Sequence, residues 1–342
     1  MPDIYFSFFM FTANLQPDNR EYTKTLVGHM RALLDMGYVG FDLPIALGPG
    51  TDFASEVKSY QGLRQAFDDA GLRDVGFTTN VGATRTFDPS SMYKEQRELG
   101  LQYLKSRIDI TKALGGEMLA GPIILPYGVF PMTDGNQPIW SDDLHDWLEA
   151  RYSNANPIIE QLGQYAAQQG IKVAIEPVDH WETPSPNMVR EVARFVQHIQ
   201  AKPVGICVDS AHVVLGSDGP VAFTKDIGEA AAAGRLNYVH ISAPDRGALA
   251  DSWIPWSQFL MPIMQGYDGP FLVEVFNAIP VFLNSLRLTR RKFCIPGEDA
   301  NVRRPDAYDI AREGIETVRW HIGAHTRAAK EFERKQYVRH RD

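Results

Sequence analysis

Hydrophobic and polar residues follow a regular pattern along the chain, in which short apolar runs alternate with longer amphipathic segments. The short runs have the composition of strands. The longer segments place apolar residues at helical spacing. Glycines in "MGY", "AGL" and "QGI" fall where a helix would end before the next strand. The predicted strands cover residues 4–11, 38–44, 74–80, 117–123, 172–177, 205–210, 236–242 and 270–276, and the predicted helices cover 22–36, 55–70, 90–114, 145–169, 186–200, 220–233 and 305–323.

This alternation predicts a (β/α)8 barrel, the TIM-barrel fold. Parallel strands joined by crossover helices produce such a pattern, and eight units closed into a barrel commonly need about 250 residues. An open doubly wound sheet is the alternative, but the chain has no Gly-x-Gly-x-x-Gly after the first strand and no P-loop. We therefore expect one barrel domain over residues 1–325, with a long loop over 124–144 after strand four, a C-terminal helical extension and a basic tail over 326–342.

Composition and charge narrow the class of protein. Of the 342 residues, 44% are hydrophobic, so the chain can bury a large core. A formal net charge of -8, with basic residues gathered only near the C-terminus, argues against nucleic acid as a partner. No apolar run approaches the roughly 20 residues that cross a bilayer, and the apolar N-terminus has no basic leader. The two cysteines, Cys207 and Cys294, are predicted to be packing residues and suit a cytoplasmic location.

A potential metal ligand stands at the end of each of the last four predicted strands. These residues are about one strand–helix unit apart, and the carboxyl ends of barrel strands meet at one rim. A single carboxylate in such a place is more often a helix cap or an ion-pair partner, but four in apolar runs are costly to bury unless paired or metal-bound. Three carboxylates and one imidazole suit one divalent cation, with Mn²⁺ expected first and Co²⁺ or Mg²⁺ as alternatives. The predicted ligands are Glu176, Asp209, His240 and Glu274.

Three further polar residues lie just past these strand ends: Glu182, His212 and Arg246. Each taken alone would be interpreted as an ordinary loop carboxylate, core histidine or surface guanidinium. Beside a metal site they are predicted to bind the hydroxyl and carbonyl oxygens of a polyol substrate. Arg246 has the further option of pairing with Asp245 or Glu182.

The combined motifs "EPVDHWE", "DSAH", "HISAPDR" and "EVF" resemble the sugar phosphate isomerase/epimerase family with xylose isomerase-like barrels. The resemblance is strongest to ketose 3-epimerases of the D-tagatose 3-epimerase type and covers roughly residues 1–325. It implies the same four metal ligands and implies that Glu182, His212 and Arg246 hold the substrate. It also implies apolar wall positions at Phe276 and Phe130.

The chain is longer than a typical ketose 3-epimerase, and its 124–144 loop and the residues just after it are rich in aromatic side chains. In size and loop character it also resembles the larger subunit of bacterial C-glycoside deglycosidases, which act on 3-oxo-glucosides with an aromatic aglycone. The aromatic residues either form a local core or wall an aglycone site; they are Tyr127, Phe130, Trp140 and Trp147. Under the lyase alternative His145 is a speculative acid or base, and otherwise it is an ordinary helix residue.

Both enzyme interpretations require removal of a proton next to a ketone. In the epimerase interpretation Glu176 and Glu274 exchange protons with opposite faces of the substrate. The expected partners are a small sugar or glycoside and further copies of this chain, or a small second subunit under the lyase interpretation. The barrel also resembles abasic-site endonucleases, but the ends of strands three and four contain no histidine and the charge opposes DNA binding. A non-enzymatic sugar-binding role is the remaining alternative.

Overall fold

Eight parallel strands close into a single barrel in chain order, as expected. The computed structural model describes residues 1–45, 50–137, 139, 142–250, 252–277, 293–301 and 303–339, with side chains as far as residue 327. All eight predicted strands are confirmed. Their bounds are β1 Ile4–Ser7, β2 Gly40–Pro44, β3 Gly76–Asn80, β4 Met118–Gly121, β5 Lys172–Ile175, β6 Val204–Asp209, β7 Leu236–Ile241 and β8 Phe271–Val273.

Helices follow the strands and cover the outside of the barrel. All seven predicted helical segments are confirmed in place, whereas α6 and α8 had not been predicted. The last helix continues past residue 325 as far as Arg339. Within the described ranges the helices are α1 Arg20–Met36, α2 Phe53–Asp69, α3 Lys94–Ala113, α4 Asp142–Gln169, α5 Val189–Gln197, α6 Ser210–Gly216, α7 Pro220–Ala232, α8 Trp256–Ile263 and α9 Ala307–Arg339.

None of the helices in the described part of the chain is long and apolar enough to cross a membrane.

Local signals set the ends of these elements. The side chain of Asn19 accepts a hydrogen bond from Tyr22 N and begins α1, and Gly37 ends that helix in the left-handed conformation that glycine favours. The first strand is shorter than the predicted 4–11 because the chain turns at Ser7 into a short 3₁₀-helix, Phe8–Met10. The hydroxyl of Ser7 accepts from Phe9 N at 3.3 Å and stabilises that turn.

Alternate strand residues fill the inside of the barrel, and the others pack against the helices. Gly40 and Gly76 leave space for the ring of Tyr5, since a Cβ at either position would overlap that side chain. The described interior below the strand ends is therefore mostly apolar. Its cluster of buried hydrophobic residues consists of Tyr5, Met118, Ala120, Ala174, Cys207, Tyr238 and Leu272.

Candidate metal centre and active site

The four predicted metal ligands converge at the carboxyl ends of β5 to β8. One ligand atom from each residue lies within 4.8 Å of those of the other three, and all four side chains are buried. The sheet itself holds them, since Glu176 N donates to Gly121 O at 3.1 Å and Glu274 N donates to Ile241 O at 2.9 Å. Asp209 and His240 are register partners on β6 and β7. The barrel thus presents three carboxylates and one imidazole to a common point.

One ring nitrogen of His240 lies close to both glutamates. Its Nδ1 is 3.0 Å from Glu176 Oε1 and 3.9 Å from Glu274 Oε1. Asp209 is held by two hydrogen bonds, because its Oδ1 accepts from Ser242 Oγ at 2.6 Å and from Ala211 N at 2.6 Å. The second of these bonds caps α6, which explains why a short helix begins directly after the strand.

The electrostatics of this cluster fit a divalent cation. Burial, partly offset by Arg246 and His240, raises the pKa of Glu274 well above its ordinary value. Burial also opposes ionisation of Asp209. The charges of Arg246, His212 and His240 nevertheless lower the pKa of that carboxyl below its ordinary value. Glu274 Oε2 and His240 Nε2 are buried without a hydrogen-bond partner among the described residues. An oxygen-rich set with one imidazole is the donor chemistry that Mn²⁺, Co²⁺ and Mg²⁺ accept.

The three predicted substrate-binding residues lie beside the metal cluster. His212 Nε2 is 3.8 Å from Glu176 Oε1, and His212 Nδ1 is 3.7 Å from Glu182 Oε2. Burial raises the pKa of Glu182, with His212 and Arg246 acting in the opposite direction. The hydroxyl of Tyr127 donates to Glu182 Oε1. These side chains form a second polar wall of the same site.

Asp179 is a site residue that sequence reasoning missed. Its Oδ2 is 3.2 Å from His212 Nδ1, and both side chains are 1% exposed. The turn that holds it is closed in two places, because Asp179 N donates to Glu182 Oε2 at 3.0 Å and Glu182 N donates to Asp179 O at 2.8 Å. The signal was present in "EPVDHWE", where the aspartate stands midway between the two glutamates.

Arg246 joins the two parts of the site. Its NH1 donates to Asp209 Oδ2 at 3.0 Å and to Ser242 Oγ at 2.7 Å, and its NH2 lies 3.2 Å from His212 Nε2. The guanidinium also covers the ring of Phe276, 4.6 Å from its centroid. The backbone of Arg246 is left-handed, with φ of 61°, which is uncommon for a residue with a side chain and recurs at functional sites.

Phe276, predicted to be an apolar wall position, is buried beside Arg246. Its ring stacks on Phe9, with centroids 4.8 Å apart, and Tyr127 packs against the pair. Phe9 was missed because it was assigned to the first strand rather than to the turn after it. Phe130 is half-buried in the loop after β4. Among the described residues no ring contact joins it to Phe276.

The remaining candidates lie away from the cluster. His145 is exposed in the first turn of α4, and within the described ranges no contact joins it to a predicted ligand. Trp147 packs against the main hydrophobic core, and the guanidinium of Arg151 covers its ring at 4.8 Å. Trp140 lies outside the described residues.

The fold and this site together define a barrel enzyme with a carboxylate- and histidine-lined centre at its carboxyl rim. Residues 30–292 match the xylose isomerase-like TIM barrel family, and the chain belongs to that family. It is 25% identical to L-ribulose 3-epimerase of Methylomonas sp. strain DH-1 over 254 residues, which are 73% of this chain and 79% of that one.

Solved structures agree. A crystal structure of a candidate sugar phosphate isomerase/epimerase from Anabaena variabilis is 54% identical, with a TM-score of 0.91, covering 95% of this chain and 99% of that one. D-allulose 3-epimerase from Methylomonas sp., crystallised with D-allulose, has the same fold at 20% identity and a TM-score of 0.72, covering 94% and 97% of the two chains. The predicted family, barrel fold and enzymatic nature are thereby confirmed.

Proposed function

We propose that the protein is a divalent-metal-dependent epimerase or isomerase of a keto-sugar, with the chemistry of a ketose 3-epimerase. The observation that carries the proposal is that Glu176 and Glu274 each bring a carboxylate oxygen close to His240 Nδ1, at 3.0 and 3.9 Å. The epimerases among its relatives support the choice of substrate class.

Glu176, Asp209, His240 and Glu274 would hold the cation, which would supply Lewis-acid stabilisation of the negative charge that develops on the substrate. Glu176 or Glu274 takes the proton from the carbon beside the ketone, and the electrons of that C–H bond move toward the carbonyl. The other glutamate gives a proton to the opposite face of the same carbon, which restores the ketone. No net oxidation occurs, and the configuration at one carbon is inverted. Glu176 and Glu274 would thus serve both as ligands of the cation and as proton carriers.

Glu182, His212 and Arg246 orient the substrate in this proposal. Substrate hydroxyls donate to Glu182, and Arg246 donates to substrate oxygens and to His212 Nε2. Asp179 acts through His212, because its carboxylate next to Nδ1 favours a proton on that nitrogen and turns Nε2 toward the metal cluster. The stacked rings of Phe276 and Phe9 form an apolar wall that excludes water from the reacting carbon.

No contact among the described residues favours the carbon–carbon lyase alternative. Trp147 belongs to the main core, and His145 faces solvent. We therefore assign neither residue a catalytic role in this proposal, and we take Mn²⁺ as the proposed native cation. We further propose one barrel domain over residues 1–325, a cytoplasmic location and self-association.

Isotope exchange tests the proposal directly. Metal-loaded protein is incubated with ketopentoses and ketohexoses in D₂O, and the products are followed by NMR. Formation of an epimer with one deuterium at the inverted carbon is expected. Release of the aglycone from an aryl 3-oxo-glycoside, with no exchange into ketoses, would replace the epimerase with the lyase. Absence of exchange in every substrate would overturn both.

A further inference from the structure

Asp42 on β2 is a buried carboxylate that the predicted site does not explain. Its side chain is 0% exposed, and it comes from the half of the barrel whose strands end without metal ligands. Burying a carboxylate is costly unless it is paired or hydrogen-bonded. The interactions of Asp42 therefore indicate what it does.

Asp42 is one end of a hydrogen-bonded chain across the barrel interior. Thr78 on β3 donates its hydroxyl to Asp42 Oδ1 at 2.6 Å, and the hydroxyl of Tyr238 on β7 lies 2.9 Å from Thr78 Oγ1. Because a carboxylate only accepts, the hydrogen of Thr78 is committed to Asp42, and Tyr238 donates to Thr78. The position of the Tyr238 ring is thus fixed from the opposite side of the barrel.

The other end of the chain lies against the metal ligand His240. The rings of Tyr238 and His240 meet edge to face, with centroids 4.7 Å apart and planes at 83°. Both residues face the interior from β7, two positions apart. With the Tyr238 ring held in place, the imidazole keeps its Nδ1 toward Glu176.

Asp42 Oδ2 has no hydrogen-bond partner among the described residues, so Thr78 holds this carboxylate through Oδ1 alone.

We infer that Asp42 is a positioning residue of the metal centre, which holds the ring of His240 through Thr78 and Tyr238. The inference rests on the metal site of the proposed function. Residues that orient a metal-ligating side chain without binding the metal themselves commonly contribute about 10- to 100-fold to metal affinity. Breaking the chain should therefore weaken cation binding without removing a ligand.

The experiment measures the Mn²⁺ dissociation constant of the full-length protein by EPR of the free ion. The variants are Thr78→Val, Tyr238→Phe and Asp42→Asn, and each should weaken binding about 10-fold or more. The absorption spectrum of bound Co²⁺ should also shift, because it reports ligand geometry. Thr79→Val is the matched control: its hydroxyl is equally buried on the same strand but lies 2.6 Å from Thr111 on the side facing α3.

We expect the control to lose stability without a change in the dissociation constant or the Co²⁺ spectrum. Wild-type dissociation constants and spectra in all folded variants would overturn the inference and leave the proposed function standing. Equal weakening in Thr79→Val would also overturn it, because general stability would then explain the effect. If Asp42→Asn does not fold, the other two variants decide the outcome. A wild-type protein that binds no divalent cation would overturn the proposed function and the inference together.

Discussion

The two halves of the barrel share one backbone geometry and differ in the chemistry at their strand ends. The last four strands present the ligand set Glu176, Asp209, His240 and Glu274. The first four lead instead into the buried apolar residues Phe8, Ile45, Val81 and Pro122. Strand ends that are equivalent in geometry are therefore not equivalent in function, and the candidate centre lies to one side of the barrel axis.

The first half supports the centre rather than forming it. Tyr5 fills the interior from β1, and Asp42 and Thr78 hold Tyr238 beneath His240. A chemically active half therefore depends on a packed half. Each prediction below separates these two contributions.

Removal of the cation should have the largest effect on activity, because all four predicted ligands of the second half act through it. Treatment with EDTA should abolish epimerisation, and Mn²⁺ or Co²⁺ should restore it. Mn²⁺ at 100 times its dissociation constant should also stabilise the fold by about 2.7 kcal/mol, since the ion binds only the folded rim. Full activity in protein shown by elemental analysis to be metal-free would contradict the assignment.

Glu176→Gln and Glu274→Gln should each lower kcat by about 10³-fold or more, because each removes a ligand charge and a proton carrier together. Steady-state kinetics with the variants at saturating Mn²⁺ would measure the loss, and circular dichroism would confirm the fold.

The matched control lies after a strand of the first half. Asp88 is also a buried carboxylate, paired with Arg151 at 2.6 Å. Asp88→Asn should lower the melting temperature and leave the kcat of the folded protein near the wild-type value. A large loss of kcat there, or near-normal kcat in either glutamine variant, would break the distinction between the halves.

Asp179→Asn should lower kcat/KM about 10- to 150-fold, the equivalent of the 1.5–3 kcal/mol of a hydrogen bond to a charged group. The variant would no longer orient His212, which is not a predicted metal ligand. The Mn²⁺ dissociation constant should therefore stay unchanged. Calorimetric titration of Mn²⁺ beside the kinetics would measure both quantities. Weakened metal binding with unchanged kinetics would reassign Asp179 to the metal centre.

Trp147→Ala should have the smallest effect on activity. Because Trp147 is half-buried against the core, its truncation should lower the free energy of unfolding by about 2 kcal/mol. KM values for small ketoses and for an aryl 3-oxo-glycoside should then change by the same factor. A rise in KM confined to the glycoside would show that the loop walls an aglycone site.

Sequence reasoning predicted the spatial arrangement of residues best where that arrangement follows from strand position. Glu176, Asp209, His240 and Glu274 were predictable because parallel strands bring their carboxyl ends to one rim, at a spacing that one strand–helix unit fixes. The barrel fold alone is enough to bring these four residues together. The structure places them within 4.8 Å of one another, as the prediction requires.

The partners of those residues were not predictable in the same way. Asp42 lies in an apolar strand. Burying its carboxylate is as costly as burying that of Glu176, so the argument that singled out Glu176 also applied to Asp42. The residues that Asp42 contacts, however, depend on which side chains meet across the closed barrel. The local sequence does not determine those contacts. Asp179 was missed for a related reason, since its contact with His212 depends on how one loop folds over the end of another strand.

The Tyr5 ring has a consequence for how isotopes leave the enzyme. Because Gly40 and Gly76 yield their side-chain volume to it, the described interior is closed on the side away from the active site. Under the proposed function we then expect water to reach the two glutamates through the carboxyl-end opening that the sugar would occupy. A deuterium taken up by one carboxylate would be held until the sugar departs, so isotope washout and product release should proceed at one common rate.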